Sequence, residues 1–292
     1  MKGLTTLMKL LVFGKTGQVA RELAALAAPD VVVEALGRQQ AELTDPETCA
    51  LLVERSDADA VINVAAFTDV DGAEEQEELA RVINGEAPTA MARAAAARGL
   101  PFLHVSSDYV FDGSGNAPHS PGDPVAPLNA YGRSKLAGEV GIRAAGGRAA
   151  ILRTSWVFSA HGKNFVKTML RLSDTRNALN VVADQVGGPT PAADIARTLV
   201  TMAGAMVAGQ GGGTYHYAGA PAISWAGFAR EVFRQAGREV EVADMLSRDY
   251  PVAAERPLNS RLDCTTLEAG FGIAPADWKV GLSRVIRELE TG

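Results

Sequence analysis

Cysteine is nearly absent: Cys49 and Cys264 are the two thiols in 292 residues. They lie far apart and match no metal-ligand spacing, and so few thiols point to a reducing cytoplasm. No apolar run reaches the ~18 residues that a membrane span needs. Met1 to Lys9 lacks the apolar core of a secretory signal. Met8 opens the first apolar run, so Met1 to Leu7 reads as a loose extension, with the native start at Met1 or Met8. No block of Lys or Arg stands out and the net charge is -6, which argues against a nucleic-acid groove. Repeats, low-complexity tracts and obvious linkers are also missing. What is present is apolar residue, 47% of the chain. That is enough to bury a sizeable core, in one large or two intimately joined domains.

The first half alternates strands and helices. Leu10 to Phe13 is a short apolar run suited to a strand buried on both faces. Gly14-Lys15-Thr16-Gly17-Gln18-Val19-Ala20 follows, then an Ala/Leu-rich helix from about Arg21 to Ala27. A strand, a glycine turn and a helix N-terminus form a phosphate site, because backbone N–H groups and the helix dipole face the anion. Gly14 permits the turn, Gly17 lets the backbone approach a pyrophosphate, and Ala20 packs helix on strand. Val31 to Leu36 is the second strand. Where many NAD-binding folds place an acidic ribose ligand, this chain has Gly37-Arg38. Arg38 suits a 2′-phosphate, favouring NADP(H) over NAD(H), although it would serve equally as a solvated loop residue.

Asp45-Pro46 reads as a helix N-cap and first helical residue. Ala60 to Val64 is the third strand, followed by small residues that let the backbone pass close to a cofactor. The acidic stretch Asp69 to Glu78 reads as a solvated helix N-terminus rather than a metal site. A helix over about 86–98 stops at Gly99. Pro101 to Ser106 is the fourth strand and delivers Ser107 to the crevice at the carboxyl end of the sheet. Pro118 to Pro127 is a rim loop. Ala149 to Arg153 is the fifth strand. Five strands alternating with helices give an α/β, Rossmann-type doubly wound parallel sheet.

Tyr131-Gly132-Arg133-Ser134-Lys135 carries the candidate chemistry. Residues four apart share one helix face. A phenol with pKa ~10 donates its proton poorly at neutral pH, and a close cation lowers that pKa by roughly 1–3 units. Such a pair can protonate a carbonyl oxygen as a hydride reaches its carbon. By itself the spacing also fits an ordinary surface helix.

The second half breaks the alternation. Asn164 to Leu172, Asp194 to Val207 and Ser224 to Ala236 read as helices, and Thr214 to Ala218 as a short strand. Arg256-Pro257-Leu258-Asn259-Ser260-Arg261 is a loop whose two guanidiniums suit a pyrophosphate, or else a solvated basic loop. The expected division is 1–157 as the NADP(H)-binding domain and 158–292 as mainly a smaller α/β domain, with parts of 180–236 returning to the first.

Together, Phe13 to Gln18, Ser106 to Gly113, Tyr131 to Glu139, Arg153 to Phe158, Asn164 to Leu170 and Arg256 to Leu262 closely resemble the dTDP-4-dehydrorhamnose reductase family. That family lies within the extended short-chain dehydrogenase/reductases, and the resemblance runs from Met8 onward. It implies NADPH-dependent reduction of the C4 ketone of dTDP-4-dehydro-L-rhamnose. It makes Tyr131 the proton donor, Lys135 its activator and Ser107 the hydroxyl that holds the ketone, where the family often has Thr. It makes the smaller domain the nucleotide-sugar-binding one. It assigns Asp108 and Trp156 to the substrate, with Arg256, Asn259 and Arg261 around the nucleotide diphosphate. It assigns Gly14, Gly17, Gln18, Val19, Ala65, Ala66 and Phe67 to the cofactor. Glu42-Leu43 stands at an adenine-side pair that is often Asp with an apolar residue, so Glu42 departs from the pattern. Gly37 replaces an acidic ribose ligand, in agreement with Arg38 and NADPH; acceptance of NADH stays open. Some family members form homodimers with Mg²⁺, but no matching ligand set is found here and no metal ligand is assigned. The rival readings are a nucleotide-sugar epimerase or dehydratase of the same superfamily, and a non-catalytic subunit like the regulatory subunit of methionine adenosyltransferase.

Overall fold

The computed structural model describes residues 7–291; of the expected N-terminal extension, residues 1–6 lie outside the described residues. Six strands form one parallel sheet: β1 (Met8–Phe13), β2 (Val31–Leu36), β3 (Ala60–Asn63), β4 (Phe102–Ser107), β5 (Ala149–Thr154) and β6 (Gly213–His216). Their order is β6-β5-β4-β3-β1-β2. The strand order reverses between β1 and β3, which opens a crevice at the carboxyl ends of these strands.

Each central strand is apolar throughout because both faces are covered. In β1, Leu10 and Val12 point into one core and Leu11 and Phe13 into the other. Helices α1 (Gln18–Ala25) and α6 (Ala192–Val207) supply the first core through Leu23, Ile195, Leu199 and Met202. Helices α2 (Pro46–Arg55), α3 (Ala87–Ala97) and α4 (Ala130–Ala145) cover the other face, with Val53, Met91 and Ile142 inside. Each such side chain contributes about 1.5–3 kcal/mol on burial.

Beyond β5 a third core forms around Phe158, Phe228 and Trp278. It joins α5 (Phe165–Ser173), α7 (Trp225–Gln235) and α8 (Trp278–Thr291) to a two-stranded parallel sheet of Ala178–Val182 with Glu241–Met245. This is the smaller α/β lobe.

Several boundaries differ from the sequence reading. Helix α1 starts at Gln18, directly after Gly17, not at Arg21. Helix α6 starts at Ala192 rather than Asp194. The strand expected at Thr214 to Ala218 is β6, which pairs in parallel with β5 and so extends the main sheet. Helix α3 is preceded by a π-helical turn, Val82–Glu86, that no sequence signal announced. The expected cap holds: Asp45 Oδ1 accepts from the Thr48 N–H at 3.0 Å, with Pro46 in the first helical turn.

Candidate active site

A cleft of about 690 Å³ runs along the carboxyl ends of the strands. At one end, Gly14 leaves β1 with φ +119°, a backbone shape that L side chains rarely adopt; an added Cβ would also press on Val64 at 3.0 Å. Gly17 then caps α1 without any side-chain cap, so the first N–H groups of the helix stay available to an anion. Lys15, Thr16, Gln18 and Val19 continue this wall, with Ala65, Ala66 and Phe67 from the loop after β3. Arg38, Glu42 and Leu43 line the far rim. Arg38 is 83% exposed and sits 3.6 Å from Glu42. The glycine turn, the uncapped helix and an exposed guanidinium held, among the described residues, only by Glu42 fit a dinucleotide carrying a 2′-phosphate.

Gln18 carries a second duty. Its Oε1 accepts from Asn164 Nδ2 at 2.9 Å and from Ser159 Oγ at 3.2 Å, tying the glycine turn to the smaller lobe.

At the other end of the cleft stand Ser107, Asp108, Tyr131, Lys135, Thr154 and Trp156. Helix α4 brings Tyr131 and Lys135 there. Asn129 caps it, accepting from the Gly132 N–H at 2.8 Å and donating to the Glu255 carbonyl at 2.7 Å. Gly132 is required by crowding: a Cβ would lie 2.2 Å from the Tyr109 carbonyl oxygen. The π-turn helps seat the helix, since Asn84 donates to Ser134 Oγ at 2.9 Å and clasps both the N–H and the C=O of Phe67.

Ser107 Oγ donates to Asp108 Oδ1 at 2.8 Å, while Asp108 Oδ2 and Thr154 Oγ1 are buried with no partner within the protein. Two orphaned polar atoms in a cleft wall fit a polyhydroxylated ligand. Burial pushes the Asp108 carboxyl up to about 6, with the neighbouring Ser260 and Ser107 hydroxyls opposing. Enclosure also pushes the Tyr131 phenol up to about 12, with Ser107 opposing. The sequence reading expects the opposite push, from Lys135, on the same phenol. The Lys135 side chain ends elsewhere: its Nζ donates to the Val105 carbonyl at 2.7 Å and lies 3.3 Å from His104 Nε2. Burial lowers Lys135 itself to about 8. Tyr109 meets Tyr131 edge-on, with centroids 5.4 Å apart.

A second groove of about 930 Å³ meets the cleft at Tyr109. Phe165, Met169, Trp225 and Met245 give it apolar walls, and Arg176 and Arg256 supply cations. Arg256 pairs with Asp71 at 2.7 Å. Asn259 and Arg261 line neither cavity: Asn259 donates to the carbonyls of Ser114 and Ala117, and its Oδ1 accepts from Arg261 at 2.9 Å. Among the expected diphosphate-binding residues, only Arg256 therefore faces a cavity.

The acidic stretch is more than a solvated face. Asp71 holds Arg256, Glu74 accepts from the Ala130 N–H at 2.8 Å, and Glu77 pairs with Arg133. Three carboxylates thus anchor the start of α4 and the 254–256 loop. Among the described residues no cluster of three His, Cys, Asp or Glu side chains could hold a metal ion. Tyr109, His104 and Trp225 were missed by the sequence reading. Only Tyr109 had a usable signal there, two residues after Ser107.

A family model described as RmlD substrate binding domain matches residues 8–291. The dTDP-4-dehydrorhamnose reductase of Sinorhizobium fredii is 43% identical over 96% of this chain and 97% of its own. A crystal structure of a dTDP-4-dehydrorhamnose reductase from Clostridium acetobutylicum superposes with a TM-score of 0.90 at 37% identity, covering 97% of this chain and all of that one. The Bacillus anthracis dTDP-4-dehydrorhamnose reductase, solved in complex with NADP, superposes with a TM-score of 0.90 at 32% identity and the same coverage. With these matches spanning the sheet, the cleft and the smaller lobe alike, the chain belongs to the RmlD family of dTDP-4-dehydrorhamnose reductases, oxidoreductases built on a Rossmann fold.

Proposed function

We propose that the chain reduces the C4 ketone of dTDP-4-dehydro-L-rhamnose to the alcohol, giving dTDP-L-rhamnose. The observation that carries this reading is one continuous cleft, with a dinucleotide turn at Gly14 to Val19 and a hydroxyl, a phenol and an amine at Ser107, Tyr131 and Lys135. NADPH, when bound, supplies the hydride. Ser107 donates to the ketone oxygen and fixes it beside Tyr131. Tyr131 gives its proton to that oxygen, and its burial keeps the proton in place until the oxygen becomes basic. Lys135 stabilises the resulting phenolate and grips the nicotinamide ribose. Asp108 and Trp156 flank the sugar. Arg256, at the mouth of the second groove, faces the nucleotide diphosphate as a planar guanidinium fork.

The test is a coupled assay from dTDP-glucose through the upstream enzymes, run with NADPH and with NADH. Stoichiometric loss of reduced cofactor is expected, with Tyr131→Phe slower by ~10²–10⁴ and cofactor affinity unchanged. An epimerase or dehydratase would convert sugar without net cofactor consumption. A regulatory subunit would show no turnover and would co-purify with a synthetase.

A further inference from the structure

His104 stands on β4 with both ring nitrogens engaged inside the protein and no exposed surface. Its Nδ1 lies 3.1 Å from Asn63 Nδ2, and its Nε2 lies 3.3 Å from Lys135 Nζ. The orientation of Asn63 decides the tautomer. Asn63 Oδ1 accepts from the Ala65 N–H at 3.1 Å, so the amide group facing His104 is the donor. A donor at that position needs the lone pair of Nδ1. Burial holds the imidazole well below its usual pKa whatever the charge on Lys135, so the ring is neutral and carries one proton. That proton is on Nε2, and it points at Lys135 Nζ.

An ammonium has no lone pair to receive it. A neutral amine does, and it can still donate to the Val105 carbonyl at 2.7 Å. The other titratable groups around Lys135 do not restore the charge. Glu139, one turn further along α4, attracts the ammonium, but Arg153 on β5 and Arg143 already pair with it. Tyr131, one turn back, is held as the neutral phenol. Burial, with Glu139 opposing, brings Lys135 down to about 8, and an N–H aimed at Nζ acts in the same direction as burial.

We propose that His104 is a positioning residue: locked by Asn63 as the Nε2–H tautomer, it holds Lys135 in the ligand-free protein as a neutral amine bridged between the imidazole and the Val105 carbonyl. Lys135 then gains its charge only on leaving His104 for the cleft, where it takes a proton from water. The inference rests on the reading of Lys135 as part of the reacting group.

The test uses the full chain without ligand. Nitrogen NMR of labelled histidine should show His104 protonated on Nε2. Carbon NMR of labelled lysine, assigned with Lys135→Arg, should show Lys135 titrating below about 8. Asn63→Asp offers a carboxylate to Nδ1 and turns the Nε2 lone pair toward Lys135. It should raise the midpoint by about one unit or more, shift the kcat–pH profile in step, and move the His104 proton to Nδ1 in the nitrogen spectrum, a change that the added charge alone would not produce. An Nδ1–H tautomer in the unsubstituted chain, or an unmoved midpoint in Asn63→Asp, would overturn the proposal. Should the buried substitution prevent folding, the tautomer and midpoint of the unsubstituted chain decide it. Absence of ketone reduction with both signatures intact would count against the assigned reaction and not against the His104 contact.

Discussion

Trp156 lies flat against Trp225, with ring centroids 3.5 Å apart and planes within 10°. Trp156 lines the main cleft and Trp225 the second groove, so the stack is the wall between them. Trp156 holds this place with φ +49°, a costly backbone shape for a bulky side chain. Trp225 is steadied in turn by its Nε1, which donates to Gln185 Oε1 at 3.2 Å. Trp225→Ala removes a stack worth about 0.5–1.5 kcal/mol. The KM for the nucleotide sugar should rise about 2- to 10-fold, with the Kd for NADPH unchanged. Initial-rate kinetics with a separate cofactor titration check both.

Arg38 is the only cation among the rim residues 36–43, and little holds it besides Glu42. A charge-assisted contact to a 2′-phosphate contributes about 1.5–3 kcal/mol. Arg38→Ala should therefore weaken NADPH by about 10- to 100-fold and leave NADH nearly unaffected. Parallel titrations with the two cofactors measure the ratio. Equal losses for both would return Arg38 to the status of a loop residue.

Asp108 predicts a pH-dependent stability. Its carboxyl is ordinarily near 3.8 and stands at about 6 in the folded chain. Between these values the folded state keeps a proton that the unfolded state has lost. The stabilisation is full below about pH 4 and is lost as pH rises through 6. Asp108→Asn removes the buried charge. Its Tm should exceed that of the parent chain above pH 6, with the gap closing toward pH 4. Parallel Tm curves over this range would refute the shift.

Glu139 and Arg153 form a buried ion pair, with Nη2 to Oε2 at 2.7 Å and Nε to Oε1 at 2.8 Å. Ser106 Oγ donates to the same carboxylate at 2.6 Å. Glu139→Ala strands the guanidinium inside the protein, which typically costs about 3–5 kcal/mol. The midpoint of urea unfolding should fall accordingly. Because α4 meets β5 at this pair, and β4 through Ser106, activity should fall with stability and not independently of it.

The crevice was legible in the sequence because its parts are local. Gly14 and Gly17 sit within one turn, Ser107 and Asp108 end one strand, and Tyr131 and Lys135 share one helix. Period and composition reveal such groupings. The contacts of His104 were not legible, since a lone histidine in an apolar strand reads as core. Its meaning comes from Asn63 and Lys135, 41 and 31 residues away. Trp225 was hidden in the same way, within an amphipathic helix whose apolar face looks like any other. The acidic stretch misled because carboxylate density suggests solvent, whereas Asp71, Glu74 and Glu77 each have a partner beyond residue 129. The contact of Arg261 with Asn259 was not legible either, because a guanidinium in a loop says nothing about which way it turns.

The return of the chain to the sheet through α6 and β6 has a consequence for cutting the protein. Helix α6 covers Leu10, Val12 and Ile62 on one side of the sheet, yet it lies in the sequence after the first elements of the smaller lobe. A fragment ending at Phe158 would lose that roof and the outer strand together, leaving a greasy plane open to water. The two halves are interlaced along the polypeptide, so neither can be produced as one contiguous piece with its interior complete.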